Sequence, residues 1–153
     1  MVSEKKINQW LDSNLIKRQE KSLKQIRNLL SRALKDIKTA EENVPIDEEA
    51  VYTFAYLSML RAGRAIMLLY GYRPDNGGQH KTTVEFASLV LGERYRTLTR
   101  RFDRMRRRRN LFTYDPMDNL TEKEAMEALE TARRFVQEII QWIKEKDPQL
   151  DLF

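Results

Sequence analysis

Residues 18–42 read RQEKSLKQIRNLLSRALKDIKTAEE. Leu23, Ile26, Leu30, Ala33, Leu34, Ile37 and Ala40 recur at the three-and-four spacing of one helix face. Pro45 stops the pattern, so the stretch predicts a long helix from about Arg18 to Glu42. Other helices fall into place on either side. Ser3 can cap a short opening helix that reaches about Leu11. Asp47 caps a third helix with an apolar face of Phe54, Leu57, Leu60, Ile66 and Leu69, and Ile46 and Val51 stand at the spacing of a hydrophobic staple. Gly71 is placed to end it. Turn chemistry is densest from Gly71 to Gly78, through Pro74, Asp75, Asn76 and Gly77. A fourth helix follows His80, carries Val84, Phe86, Ala87, Leu89, Val90 and Leu91, and is interrupted by Gly92. An arginine-rich helix then runs to about Asn110. Asp115, Pro116, Asp118 and Asn119 form a turn. Thr121 and Glu124 make a capping box for a last helix with Ala128, Ala132, Phe135, Ile139, Ile140 and Ile143 on one side, ended by Asp147 and Pro148.

The expected fold is therefore all-α, an antiparallel bundle of four to five helices. Composition agrees: 5 glycines and 4 prolines in 153 residues are about half of average usage, too little turn chemistry for a sandwich or barrel. A single domain is expected over 1–153, with a short N-terminal helix in 1–17, the bundle core in 18–145 and a tail in 146–153. The absence of cysteine excludes a disulfide scaffold, a CxxC metal site and a thiol nucleophile. The longest apolar run, Ala65 to Tyr70, is far short of the ~20 residues of a membrane span. Lys5 and Lys6 precede no apolar core of a secretory signal. The expectation is a soluble, cytoplasmic chain with no membrane association.

Charge is concentrated in one place. Nine arginines (94, 96, 100, 101, 104, 106, 107, 108, 109) and one acid, Asp103, lie between Arg94 and Arg109. That segment carries +8 while the chain carries +5, which leaves −3 for the remainder. Two readings are open: a phosphate-binding or acid-binding surface, since the guanidinium fork matches phosphate oxygens, or a solvated helix face. Helical phase separates one arginine from the rest. Leu98, Phe102 and Met105 lie within about 60° of arc, and Arg109 falls about 20° from Leu98, in line with that stripe. Arg96, Arg100, Arg104 and Arg107 face away, and Arg106 lies at the border. A charge in line with the core is costly unless paired or partly wet, so Arg109 is expected at a cleft or a subunit interface. If the helix ends near Asn110, the chain can turn and gather Arg109, Asn110 and Tyr114 over one spot.

The third helix ending in LRAGRAIMLLYGYRP (60–74), the GQH (78–80) that opens the next helix, and RMRRRRNLFTYDP (104–116) before the last helix together resemble the HEPN superfamily of small helical bundles. The resemblance covers about residues 50–145 and centres on Arg109-Asn110-x-x-x-Tyr114. It implies a homodimer with paired motifs facing a cleft, and metal-independent RNA cleavage of the toxin or defence type. It assigns Arg109 as catalytic arginine and Asn110 as its polar companion. Tyr114 stands where active members carry histidine. A phenol of pKa about 10 can donate a proton but is a poor base at neutral pH, which puts activity in question. His80, the only histidine, can supply the titrating group. Each residue has a structural alternative: Arg109 paired with Asp115 or Asp118, Tyr114 packed on the last helix, His80 capping its helix or bonding a backbone carbonyl. Arg101, Arg104, Arg106, Arg107 and Arg108 are expected to hold RNA backbone.

Other chemistries lack support. Glu41 and Glu42, Glu48 and Glu49, and Glu122 and Glu124 read as helix-terminal charges. No Glu-x-x-His pair marks a di-iron bundle, and Gly77-Gly78 lacks the Lys-Ser/Thr of a Walker loop. No metal or cofactor is expected. Three functions remain: a ribonuclease, a catalytically silent module that binds RNA or a nucleotide, and a module that docks on a protein partner such as an antitoxin or nucleotidyltransferase.

Overall fold

The computed structural model describes residues 3–75 and 79–150. Asn76, Gly77 and Gly78 of the expected loop lie outside the described residues. Among the described residues six α-helices form the bundle: α1 (Glu4–Asp12), α2 (Leu23–Glu42), α3 (Glu48–Leu69), α4 (Gln79–Leu91), α5 (Arg96–Tyr114) and α6 (Glu122–Lys146). The fold is all-α, as expected. It carries one addition, a two-stranded antiparallel ribbon of β1 (Ile16–Arg18) and β2 (Tyr72–Pro74), with Lys17 opposite Arg73. The expected start of α2 near Arg18 is corrected by this ribbon. Arg18 is in a strand, and the helix opens at Leu23 because the Ser22 hydroxyl accepts from the Gln25 N–H.

The other boundaries follow local chemistry. Ser3 accepts from the Lys6 N–H and Asp47 from the Glu49 N–H, which satisfies N–H groups that a first turn leaves unpaired. Gly71 sits at φ +84°, a conformation that favours glycine, and its N–H returns to the Leu68 carbonyl. Both bonds of the Thr121–Glu124 capping box are present. Ile46, by contrast, is 75% exposed, so the expected staple to Val51 does not form.

Helix α3 is apolar on nearly every side and runs through the middle, packed most extensively on α2 and α6 and also against α4 and α5. Tyr56, Phe86, Phe102 and Phe135 are among the largest fully buried side chains. At Gly63 the helices come very close: a Cβ there would lie 2.7 Å from the Thr83 methyl of α4 and 3.4 Å from the Phe102 ring of α5. Two ion pairs tie α2 to its neighbours, Asp36 to Arg61 at 2.6 Å and Glu41 to Arg133 at 2.7 Å. Among the described residues no helix is long and apolar enough to cross a membrane.

Candidate functional site

The site lies where α3, α4 and α5 converge. Phe102, Arg106 and Arg109 are spaced four and three residues apart, so they share one stripe of α5. Tyr56 and Gly63, seven apart, share one stripe of α3. The two helices are antiparallel: Phe102 sits against Gly63, while Phe112 packs edge-on against Tyr52 with ring centroids 5.4 Å apart. Arg106 and Arg109 therefore fall beside Tyr56, and α4 closes the third side with His80.

His80 is half-buried, and its Nδ1 lies 3.0 Å from the hydroxyl of fully buried Tyr56. Burial pushes the Tyr56 phenol above its ordinary range, against the opposing charges of Arg106, Arg109 and Arg64. The phenol thus keeps its proton. Its hydroxyl can donate to Nδ1 or accept from it, so the pair supports either imidazole tautomer. Burial first, and then the charges of Arg109, Arg64 and Arg106, hold the His80 imidazole below its ordinary 6.5. At neutral pH it is an uncharged group facing three guanidiniums.

Those guanidiniums differ in what neutralises them. Arg106 donates to Asp103 at 3.0 and 3.1 Å, and Arg107 shares the same carboxylate at 3.2 Å. Arg109 and Arg64 have no carboxylate partner among the described residues, and the Nε of each is buried without a hydrogen-bond partner. A buried donor left unmet costs about 1–3 kcal/mol or more when charged. Two such donors beside one imidazole form a place for an anion. Asp118, a candidate structural partner for Arg109, is occupied by Arg108, and the Asp115 carboxylate accepts from the Met117 N–H in its own turn.

The remaining expected residues are distributed unevenly. Helix α5 does not end at Asn110. It continues through a buried Phe112 to Tyr114 and stops at Asp115, which is extended because Pro116 follows. A continuous helix places Arg109 and Tyr114 about 140° apart, and Tyr114 is 81% exposed. The expected gathering of Arg109 and Tyr114 within one chain is thus not found. Asn110, the next residue on the helix, is half-buried.

Arg108, expected to hold RNA, is instead the clasp between α5 and α6. It donates to Asp118, to Glu124 at 2.7 Å and to the Asn119 carbonyl at 3.2 Å. The hydrogen bond to Glu124 comes first among the causes that push its pKa up. Arg104, Arg106 and Arg107 line a groove of about 820 Å³ between α1, α4 and α5, together with Arg100, Lys6 and Lys81. Arg101 is exposed and faces a separate cavity shared with Glu124, Glu127 and Glu130. Two members of the site, Tyr56 and Arg64, were not singled out from the sequence. Arg64 left a signal there, as a second arginine one turn past Arg61 in an apolar helix with no acid nearby in the chain. Tyr56 left none, being one aromatic among many.

The His80 environment predicts a pH dependence of stability. Its folded pKa is depressed, so as pH falls through about 6.5 the unfolded chain takes up protons that the folded chain refuses. Stability declines until the folded imidazole itself protonates, and above about pH 7.5 this group contributes no slope. Urea unfolding of wild type and His80→Gln across that window checks it. The difference between them is expected to shrink as the pH is lowered.

The profile of the HEPN domain matches residues 26–146. No curated protein matches the chain.

Proposed function

The chain belongs to the HEPN family, and from that membership we propose that it binds and cleaves RNA at the Arg109–His80 site as a homodimer. The family-level role is nucleic-acid-related and nuclease-like. The finer reading is carried by one observation: two guanidiniums without counter-ions, Arg109 and Arg64, beside an uncharged imidazole. A phosphodiester supplies the missing negative charge. Its oxygens accept from Arg109 and Arg64, and Asn110 orients them. Bound phosphate also offsets the arginine field and lifts the His80 pKa toward the working range.

In this reading His80, in the tautomer with a free Nε2, takes the proton of the ribose 2′-hydroxyl. The 2′-oxygen attacks the adjacent phosphorus, and Arg109 stabilises the charge that accumulates on the phosphorane. Tyr56 is a positioning residue that fixes the ring through Nδ1. The bond to the 5′-oxygen breaks with transfer of a proton, leaving a 2′,3′-cyclic phosphate and a 5′-hydroxyl. Tyr114 suits the donor role, since its hydroxyl carries a transferable hydrogen, and it reaches a scissile phosphate only across a dimer interface. Arg104, Arg106 and Arg107 hold the flanking backbone.

Support for a second copy comes from Leu111 (58% exposed), Tyr114 (81%) and Met117 (83%), large apolar side chains grouped at the end of α5. Grouped exposure of this kind marks an interaction surface. Leu111→Glu with Met117→Glu is expected to convert a dimer into a folded monomer, read by light scattering at matched concentration. An unchanged mass would remove this surface from the interface.

The reading as a whole is tested by incubating the protein with single-stranded RNA in excess chelator and analysing the product ends. Cleavage to cyclic-phosphate ends is expected. A specific observation favours the runner-up, a silent binding module: within one chain α5 carries Tyr114 away from Arg109. Intact RNA, bound with an affinity that falls steeply with salt, would select that module. Absence of RNA affinity would select a protein partner with an acidic surface.

A further inference from the structure

Asp103 is the one acid among the nine arginines between 94 and 109, three residues before Arg106 and four before Arg107. Its carboxylate accepts from both, but the two partners are differently placed. The Arg107 side chain is 66% exposed and that of Arg106 only 16%. Two bonds to Asp103, from Nε at 3.1 Å and from Nη2 at 3.0 Å, fix the Arg106 guanidinium. Arg106 lines the groove between α1, α4 and α5, and its charge also acts on the Tyr56 phenol ahead of those of Arg109 and Arg64. It is the side chain that joins the groove to the site.

A solvated pair at this helical spacing does little beyond steadying its helix, and the Arg107 contact is of that kind. The Arg106 contact is not. From α3, Tyr56 and Arg64 face His80, and from α5, Arg106 and Arg109 do. On α4 itself the neighbouring charges, Lys81 and Glu85, pair with each other at 3.8 Å. Three guanidiniums around one half-buried imidazole repel one another, and a flexible side chain among them moves out to water unless something holds it. Arg106 has the groove to move into, and Asp103 is the carboxylate that keeps it from doing so. We infer that Asp103 is a positioning residue of the site, holding the Arg106 guanidinium against Tyr56 and His80. The inference deepens the RNA reading and rests on its assignment of His80 as the titrating group. Held in place, Arg106 keeps the imidazole uncharged before an anion arrives.

His80 is the sole histidine, so one imidazole signal reports on the site. NMR titration of the untagged full chain, without RNA, reads its midpoint. Arg106→Gln is expected to raise that midpoint by at least about 0.3 pH unit, because a positive charge beside the ring is removed. Asp103→Asn is expected to raise it too, through departure of Arg106. Asp103→Asn combined with Arg106→Gln is then expected to match Asp103→Asn alone, since the first change has already emptied the position. Arg107→Gln and Glu93→Gln break solvated pairs of similar spacing, and each is expected to leave the midpoint in place. A midpoint that stays put in Asp103→Asn would reduce the carboxylate to helix support. One that falls would make it a counter-charge to a guanidinium that needs no holding. Either result overturns the inference. In cleavage, Asp103→Asn is expected to move the acid limb of the pH profile to higher pH, and Asp103→Glu, which keeps a carboxylate for Arg106, to restore most of the wild-type profile. RNA left intact by the wild type would end the cleavage reading, while the titration would still decide the role of Asp103.

Discussion

Replacing Arg109 with alanine is expected to lower RNA cleavage about 10²–10³-fold, the scale seen when one preorganised charge-stabilising group is removed. The reasoning starts from phase. Arg109 stands on the same α5 stripe as Phe102 and between buried Met105 and Phe112, half-buried itself and with its Nε shut off from solvent. A preorganised charge there acts on the phosphorane more strongly than on the substrate, and the loss should fall in kcat more than in KM. Arg109→Lys should recover only part of it, because an ammonium lacks the planar fork. Arg96→Ala is the control. That arginine is exposed and paired with Glu93 in its own turn, and its removal is expected to change neither quantity. Full activity in Arg109→Ala would end the catalytic reading.

Phe102→Ala carries the largest expected stability loss, about 3–5 kcal/mol. Phe102 is fully buried, with Tyr56 at 6.0 Å and Phe135 at 5.2 Å between ring centroids, and its ring edge lies against Gly63. Deleting it opens a cavity between α3, α5 and α6. Thermal or urea unfolding reads the effect directly. A loss under about 1 kcal/mol would show that the helices can close the gap. Because Tyr56 rests on this ring, the variant should also loosen the His80 ring and lower cleavage beyond its effect on the folded fraction.

Much of the architecture was legible in the chain. Ser3, Asp47 and Thr121 with Glu124 mark helix starts by a side-chain oxygen placed where N–H groups lack partners, and Gly71 and Gly92 mark ends by positive φ. Those signals act within four residues, so no tertiary information is needed to read them. The inward phase of Arg109 was legible for the same reason, because helical geometry is periodic. The ribbon of 16–18 with 72–74 was not, since its partners are more than fifty residues apart and each strand is three residues long. Ile46 shows the converse: the staple spacing is local, but whether its side chain packs depends on where the rest of the chain lies.

The site divides along the same line. Periodicity and capping marked out a bundle of four to five helices where the structure has six, the concentration of arginine on one of them, and the single arginine turned toward the core. Folding alone chose which charges would be cancelled. Arg108 found Asp118 and Glu124, Arg61 found Asp36, and Arg64 and Arg109 found none among the described residues. Neutralisation depends on distances of a few ångströms between helices that the chain order separates widely, and Coulomb energy in a desolvated site changes steeply over such distances. The pairing of His80 with Tyr56, 24 positions apart, was settled by the same close packing at Gly63.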